Sequence, residues 1–532
     1  MTEGNQLLVL SLLFVICMLT ILSSKLKISY PIVLVLGGLL ISLVPGTPNV
    51  SLKPELVFMI FLPPLLFSAA WNTAWNNFWK YKRPISLLAF GLVIFTSAIV
   101  AIFAQQIIPG FPLAFGFLLG GIISPPDAIA ATSILQELRI PKRVVTILEG
   151  ESLINDASSL IVFRFALLVI ITGQFNFWDA GKTFIVVAGA GILVGLAIAN
   201  IIYAIYRWLP GRPATDAALT LITPYIMFIA AEHFHFSGVL SVVSGGLFLS
   251  FRSQDIFSYE TRLEVKGLWD TLVFLLNGFV FILIGLQLPY IVSGLEGQSL
   301  GQAIGYAIII SLLTIIIRII WVFPNAYLPR MLFKSIRENE PRPNLKSVFL
   351  VAWSGMRGVV SLASALSIPL TLGDGQSFPH RNLILFITFV VILFTLVLQG
   401  LSLKPLIRLL KLETPDKGSE LTQELTLRVR LAETALGHLD NNYSQEIEAN
   451  PTYKRVRDRY ERIIDISRRK LDPDEKTEED GKFLPHYRQM LIELVDVRRK
   501  ELSRYRHNRE FNEDLIRERE WELDLEEARL RK

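Results

Sequence analysis

The chain predicts an all-α polytopic membrane protein, with thirteen transmembrane helices followed by a helical cytoplasmic tail. Three observations predict it. Of 532 residues, 52% are hydrophobic, and the mean hydropathy is +0.47 although the C-terminal end is very polar. Apolar runs of about 18 residues or more, each long enough to cross a hydrocarbon core of roughly 30 Å as a helix, recur from residue 7 to about residue 410. Lysine and arginine fall almost entirely on alternate loops between those runs. One soluble core could not absorb so many apolar segments.

Spans are expected near 7–24, 30–45, 54–71, 84–106, 112–137, 143–172, 182–206, 215–232, 237–251, 268–292, 300–325, 346–371 and 382–410. With this count the loops alternate sides, and one side carries eighteen lysines and arginines against three, Lys53, Lys182 and Arg381, on the other. The positive-inside rule then puts the N-terminus outside and the C-terminus in the cytoplasm, in a multi-pass protein of the cell inner (plasma) membrane. A missed or invented span would scramble that asymmetry. The first run lacks a basic leader and a small-residue cleavage pattern, so it reads as an uncleaved span. The single cysteine, Cys17, lies within it and reads as a packing residue. The net charge of +5 sits mainly in short loops, which is topology rather than a nucleic-acid site.

After about residue 411 the composition turns to mixed charge, with apolar residues at helical spacing among Glu, Lys and Arg. The expected organisation is a transmembrane domain over 1–411 and a cytoplasmic helical regulatory tail over 412–532. Within the tail, "DPDEKTEEDGK" reads as an acidic linker. Interspersed Glu and Asp argue against a single-sign surface for lipid or nucleic acid.

Charged side chains at bilayer depth cost at least about 2.5–3.5 kcal/mol, which makes each a functional candidate with a partner to be named. The sixth span carries "EGESLINDASSLIVFRF". Helical spacing places Ser152, Asn155 and Asp156 on one face, and puts Glu151 one turn before Asn155, so that the amide can reach both carboxylates. Asp156 is 13 residues from Arg143, or roughly 20 Å along a helix, near mid-membrane. Glu149 lies nearer the cytoplasmic end, as a solvated funnel residue.

The fifth span carries "GGIISPPDAIAATSIL". Pro125 and Pro126 lack an N–H and clash with the preceding turn, so the helix should break around Gly121–Asp127. Freed carbonyls survive at that depth only if buried in protein or facing a hydrated cavity. Asp127 follows the break at about the depth of Asp156. Two carboxylates, hydroxyls and unpaired carbonyls make a hard-oxygen cluster suited to a hard cation.

The twelfth span carries "AWSGMRGVVSLASALSIP". Its small residues Ser354, Gly355, Gly358, Ser361 and Ala363 allow close helix approach. Arg357 is also at mid-depth, keeps its proton when buried and requires a carboxylate. Glu151 or Asp156 is available, and Glu151 is favoured, leaving Asp156 free to titrate. Spans five and twelve are the interrupted ones and are seven apart. If spans one to six and eight to thirteen are inverted repeats, the two breaks occupy equivalent, oppositely oriented positions, the pattern of a secondary transporter whose site lies where broken helices cross.

Blander readings exist for each residue. Pro125–Pro126 could be a structural kink, Glu151 with Arg357 a purely structural pair, and Asp156 a satisfied core residue. Arg164 and Arg318 read as pairing or snorkelling residues rather than ligands. His233, His235 and His380 read as ordinary residues at outer ends of spans.

Together "SPPDAIAATSIL", "EGESLINDASSLIVF" and "SGMRGVVSLASAL" resemble the motifs of bacterial sodium/proton antiporters of the monovalent cation:proton antiporter family, in its electroneutral Asn-Asp branch. The resemblance covers all thirteen spans in order, and the ending "ELDLEEARLRK" resembles the cytoplasmic tails of one bacterial branch. It implies a homodimer of thirteen-span protomers, each with a dimerisation part and a six-helix core that moves by elevator-like alternating access. It also implies that Asp156 is the shared cation and proton carboxylate and Asn155 its partner amide. Asp127 and Ser152 would be further sodium-site positions, and Glu151 with Arg357 the supporting ion pair. Many relatives have threonine or valine where this chain has Pro126. A ligand there would come instead from carbonyls or from a hydroxyl such as Ser124 or Thr132.

The mechanism needs only competition. Burial disfavours the bare Asp156 carboxylate, so the site holds either a proton or a cation, and movement across the membrane is favourable only with one of them bound. With an amide beside it, one proton per cation follows. No cofactor is required, and the partners are monovalent cations, protons and the bilayer. Potassium or lithium exchange fits the same residue types. A cation channel with a regulatory tail would need a continuous pore. An intramembrane aspartyl hydrolase using Asp127 and Asp156 would leave Arg357 unexplained and lacks the glycine-flanked aspartate such enzymes show.

Overall fold

Among the described residues, each of the thirteen expected segments contains helix, although residues 128–130, 133–134 and 136–137 of the fifth lie outside them. The computed structural model describes residues 3–26, 28–44, 54–127, 131–132, 135, 140–173, 177–209, 211–295, 299–339, 342–372, 376–411, 417–471, 480–508 and 513–531. In chain order the membrane-region helices are α1 (Glu3–Leu26), α2 (Tyr30–Ser42), α3 (Pro54–Asn72), α4 (Lys82–Ile107), α5 (Leu113–Ile123), α6 (Lys142–Thr172) and α7 (Phe177–Trp208). Then follow α8 (Pro213–His233), α9 (Gly238–Ile256), α10 (Tyr259–Ser293), α11 (Leu300–Leu332), α12 (Leu345–Trp353), α13 (Val359–Leu366) and α14 (Arg381–Leu410). Among the described residues, eight helices are by themselves long and apolar enough to cross a membrane: α1, α4, α6, α7, α8, α10, α11 and α14.

Both expected breaks are present, for different local reasons. Helix α5 stops at Ile123, because Pro125 and Pro126 cannot donate to the carbonyls one turn back. Ser124 takes up one of these, donating its hydroxyl to Gly121 O at 3.2 Å. The twelfth span splits into α12 and α13 around the non-helical segment 354–358, where Ser354, Gly355 and Gly358 are weak helix formers.

A third irregularity was not expected. Residues Leu87–Leu92 of α4 form a π turn, which shifts the hydrogen-bond register and frees carbonyls. Trp321 of α11 donates its indole N–H to Leu87 O at 3.1 Å, and Ser158 of α6 donates to Ala89 O at 2.5 Å. The distortion thereby ties α4 to both neighbours, and Trp321 also stacks on Phe95, with ring centroids 4.7 Å apart.

The buried apolar residues form two large clusters. One is built around α2, α4, α5, α6 and α10 to α14, the other around α3 and α6 to α10. Helix α6 belongs to both: Ile147, Leu148 and Phe163 pack in the first, Leu153, Ala157 and Leu160 in the second. Its polar residues therefore sit between two clusters of packed apolar side chains.

The chain divides into two compact units, Met1–Thr414 and Pro415–Lys532. In the second, α15 (Lys417–Asn442) packs on α16 (Pro451–Leu471) through Val429, Ala432 and Ile464. Helix α17 (Asp480–Asn508) pairs with α18 (Glu513–Arg531), joined by ion pairs such as Arg498–Glu526 at 2.6 Å and Arg499–Asp524 at 2.7 Å. Most of the expected acidic linker, residues 472–479, lies outside the described residues.

Candidate functional site

The two interrupted spans cross against α6. The backbone N–H of Asp127, just past the break in span five, donates to Met356 O in the non-helical segment of span twelve at 2.7 Å. Contact is so close that a Cβ on Gly358 would overlap the Asp127 carboxylate; only glycine fits. On α6, Asn155 donates its side-chain amide to Pro126 O at 3.0 Å. The amide thus satisfies a carbonyl freed by the proline pair, rather than bridging Glu151 and Asp156 as expected from spacing.

Beside the crossing lies a cavity of about 610 Å³. Asp156, Asp127 and Ser152 line it, so three of the expected cation-site residues come together on one wall system. Pro125, Thr132, Glu149 and Ser361 line it too. The lining continues through Asn72 and Thr73, at the end of α3, and Lys266 and Asp270, near the start of α10. The cavity therefore extends toward the end of the bundle where the basic loops were counted. Among the described residues the Asp156 side chain has no hydrogen bond or ion pair, and it is 8% exposed, to this cavity. No group of three or more His, Cys, Asp or Glu suited to a metal ion occurs among the described residues. Two carboxylates with hydroxyls and carbonyls are the oxygen set available.

Ser361 was read from sequence only as a small residue. Its hydroxyl is buried without a hydrogen-bond partner and lines the cavity with Asp156, which makes it a candidate oxygen ligand. The Asn155 side-chain oxygen is also buried and unpartnered. Of the two hydroxyls offered in place of a threonine side chain at Pro126, Thr132 reaches the cavity, whereas Ser124 bonds back to its own helix.

The expected pair of Glu151 with Arg357 is not formed. Glu151 takes two hydrogen bonds from Arg318 of α11, at 2.5 and 2.8 Å, with the two side chains 1% and 0% exposed. Arg318 also donates to Val351 O from its Nε and Nη2 atoms, at 3.3 and 3.0 Å. A Cβ on Gly355 would overlap the Arg318 side chain, so that glycine gives it passage. Arg357 instead donates from Nε to Ile123 O, at the last turn of α5, at 2.9 Å, and from Nη1 to Gly355 O. The expectation overlooked that a buried guanidinium can be held by helix C-terminal carbonyls, which carry partial negative charge. At this crossing α5 and α12 both end, and Arg357 sits where their free carbonyls gather. Arg164 is a pairing residue as expected, bonded to both carboxylate oxygens of Glu232 at 2.7 and 2.8 Å.

With this geometry in view, the comparisons with known proteins are specific. A family model described as "Sodium/hydrogen exchanger, transmembrane" matches residues 9–409. The chain belongs to that family. It is therefore a multi-pass membrane protein of a transporter family. The "Sodium, potassium, lithium and rubidium/H(+) antiporter" of Bacillus subtilis strain 168 is 34% identical over 75% of this chain and 60% of its own length. The like-named protein of Bacillus pumilus is 34% identical over 77% of this chain and 61% of its own length, so the chain spans about three fifths of those two relatives. The "Na(+)/H(+) antiporter ApNhaP" of Aphanothece halophytica is 34% identical, covering 82% of this chain and 80% of that protein. The solved sodium proton antiporter MjNhaP1 from Methanocaldococcus jannaschii superposes with a TM-score of 0.61 over 75% of this chain and all of that one, at 20% identity. That likeness establishes the fold.

Proposed function

We propose that this family member is a secondary active antiporter that exchanges sodium for protons by alternating access, with Asp156 as the shared site. The observation that carries the reading is the state of Asp156: a carboxylate at the crossing of two broken spans, with no protein partner among the described residues, facing a cavity it shares with Asp127, Ser152 and Ser361. Such a group must be compensated by something from solution, and a proton and a monovalent cation exclude one another there. Asp127, Ser152, Ser361 and Thr132 would supply further oxygens to the cation. Asn155, held by Pro126 O, anchors the broken span and adds no titrating group, which supports electroneutral exchange of one proton per cation.

The relatives' names support monovalent cation exchange, and those of the two Bacillus proteins extend to potassium, lithium and rubidium. We therefore read sodium as the principal cation, with lithium or potassium as alternative cargo. Thirteen crossings, an outside N-terminus, a homodimer in the plasma membrane and a regulatory role for residues 412–532 belong to the same proposal. It is tested in vesicles containing purified protein, with proton flux driven by sodium, lithium or potassium gradients in turn. Coupled flux in the wild type, and its loss in Asp156→Asn, are expected. Cation flux without proton movement would replace the antiporter with a channel.

A further inference from the structure

A second cavity, of about 530 Å³, continues the face of α6 that carries Asp156. Glu149, Ser152, Leu153 and Asp156 line the first cavity, and Leu160, Phe163, Arg164 and Leu167 line the second. Steps of three and four residues keep them all on one stripe of the helix. Arg164 comes about 12 Å beyond Asp156 along the axis, toward the end away from the basic loops. Span twelve makes the same passage, with Ser361 of α13 on the first cavity and Ser367, just past its end, on the second. The facing wall comes from α3 and α8, through Met59, Phe228 and Glu232. Between Asp156 and Arg164 the stripe holds Leu160 and Phe163, both buried. Their side chains offer a cation no oxygen to replace its water, so this stretch is a dry barrier.

Across the second cavity Arg164 donates from Nη2 to both carboxylate oxygens of Glu232, at 2.7 and 2.8 Å. The two ends of this bridge are fixed unequally. Glu232 Oε1 also accepts from Gly238 N at the start of α9, at 3.0 Å, whereas Arg164 makes no other hydrogen bond or ion pair among the described residues. The side chains are 41% and 29% exposed, so solvent and salt keep the pair weak. The Glu151–Arg318 pair, sealed from solvent, cannot part so readily. A contact that opens in every transport cycle has to be of the first kind. Resting on the exchange reading above, we infer that the second cavity is the outer half of the cation path, shut in this conformation by Leu160 and Phe163 and latched by Arg164 on Glu232. Asp156 reaches the outer side when α6 and α13 shift against α3 and α8, which parts Arg164 from Glu232 and opens the stripe between them. Arg164 and Glu232 are positioning residues: they hold one conformation and bind no cargo.

The test uses full-length protein in a Cys17→Ser background, which removes the single cysteine. Arg164→Cys with Glu232→Cys is treated in vesicles with a short bismethanethiosulfonate, which ties the two thiols through a flexible spacer. Coupled exchange should fall about tenfold or more, since a tie that holds one of two states stops alternation, and should return on reduction. The fall should be absent when either cysteine is omitted. A purely structural pair predicts full exchange through the tied protein, and that result overturns the proposal. Absence of exchange in the Cys17→Ser protein and the wild type alike would instead count against the exchange reading itself. A second measurement needs no flux. Leu160→Cys, labelled from the outer side by an impermeant thiol reagent, should react about threefold to fivefold faster when Glu232→Gln is added, the factor that a partly exposed ion pair contributes. A rate unchanged by Glu232→Gln likewise overturns the proposal, and this arm stays readable if the double cysteine variant does not fold.

Discussion

Glu151 and Arg318 are joined by two hydrogen bonds, 2.5 and 2.8 Å long, in a site where neither side chain is more than 1% exposed. The pair links α6, which carries Asp156, to α11, and through Val351 O to α12. Removing one member strands a buried charge at a cost of about 3–5 kcal/mol. Arg318→Ala should therefore lower thermal stability severely, and Glu151→Gln in the same chain should restore part of it. Melting temperatures of the four proteins in this cycle decide the matter. Absence of any recovery would mean that Arg318 acts mainly through Val351.

Arg357 should behave differently, because its partners are carbonyls. Arg357→Gln removes charge-assisted hydrogen bonds to Ile123 O and Gly355 O, each worth about 1.5–3 kcal/mol. Adding Glu151→Gln should not rescue it. A measured recovery comparable to that of the Arg318 cycle would restore the pairing expected from sequence.

The difference between those two arginines shows what was legible in the sequence. Depth along a helix placed Asp127, Ser152 and Asp156 together, because rise per residue and the proline break are local properties, and these three do share a cavity. Partner choice was not local. Arg318 and Arg357 are both buried near Glu151, and only the way α11 passes Gly355 decides which guanidinium reaches the carboxylate. The π turn in α4 was equally invisible, since "LLAFGL" carries no proline and the turn is held by Trp321 and Ser158 from other helices. Ser361 looked like packing because its role depends on the cavity rather than on its neighbours in sequence.

Asp156→Asn keeps the shape of the side chain and removes its charge. Exchange should vanish while the protein remains folded, since no hydrogen bond or ion pair among the described residues depends on that carboxylate. Sodium-driven proton movement in vesicles and the melting temperature together check this. Substantial coupled flux in the variant would sink the shared-carboxylate mechanism.

Ser361→Ala separates a ligand from a packing residue. Losing one neutral oxygen contact worth about 0.5–1.5 kcal/mol raises the apparent KM for sodium roughly threefold to tenfold, with little change in stability because the hydroxyl has no protein partner in the described structure. An unchanged KM with intact folding would return Ser361 to the role of a small residue at a helix crossing.

The tail supplies the last prediction. Hydrogen bonds from Arg499 and Arg531 hold the Glu527 carboxyl below its ordinary value. A depressed carboxyl contributes stability above its unfolded-state value and loses it as pH falls through the folded one. Pairing of α17 with α18 should thus be constant around neutral pH and loosen only in acid, and added salt should weaken it because Arg531 is exposed and Arg499 and Glu527 are only half-buried. Amide hydrogen exchange of 480–531 in the full-length chain, followed across a pH series, checks this. Protection that changes between pH 6 and 8, on the order of the ordinary histidine range, would show a titrating group other than Glu527 at that contact. If protection stays flat there, a chain ending near residue 415 should still exchange cations, since every proposed ligand lies before it. Any shift in its pH profile would then come from losing the tail as a whole rather than from protonating its ion pairs.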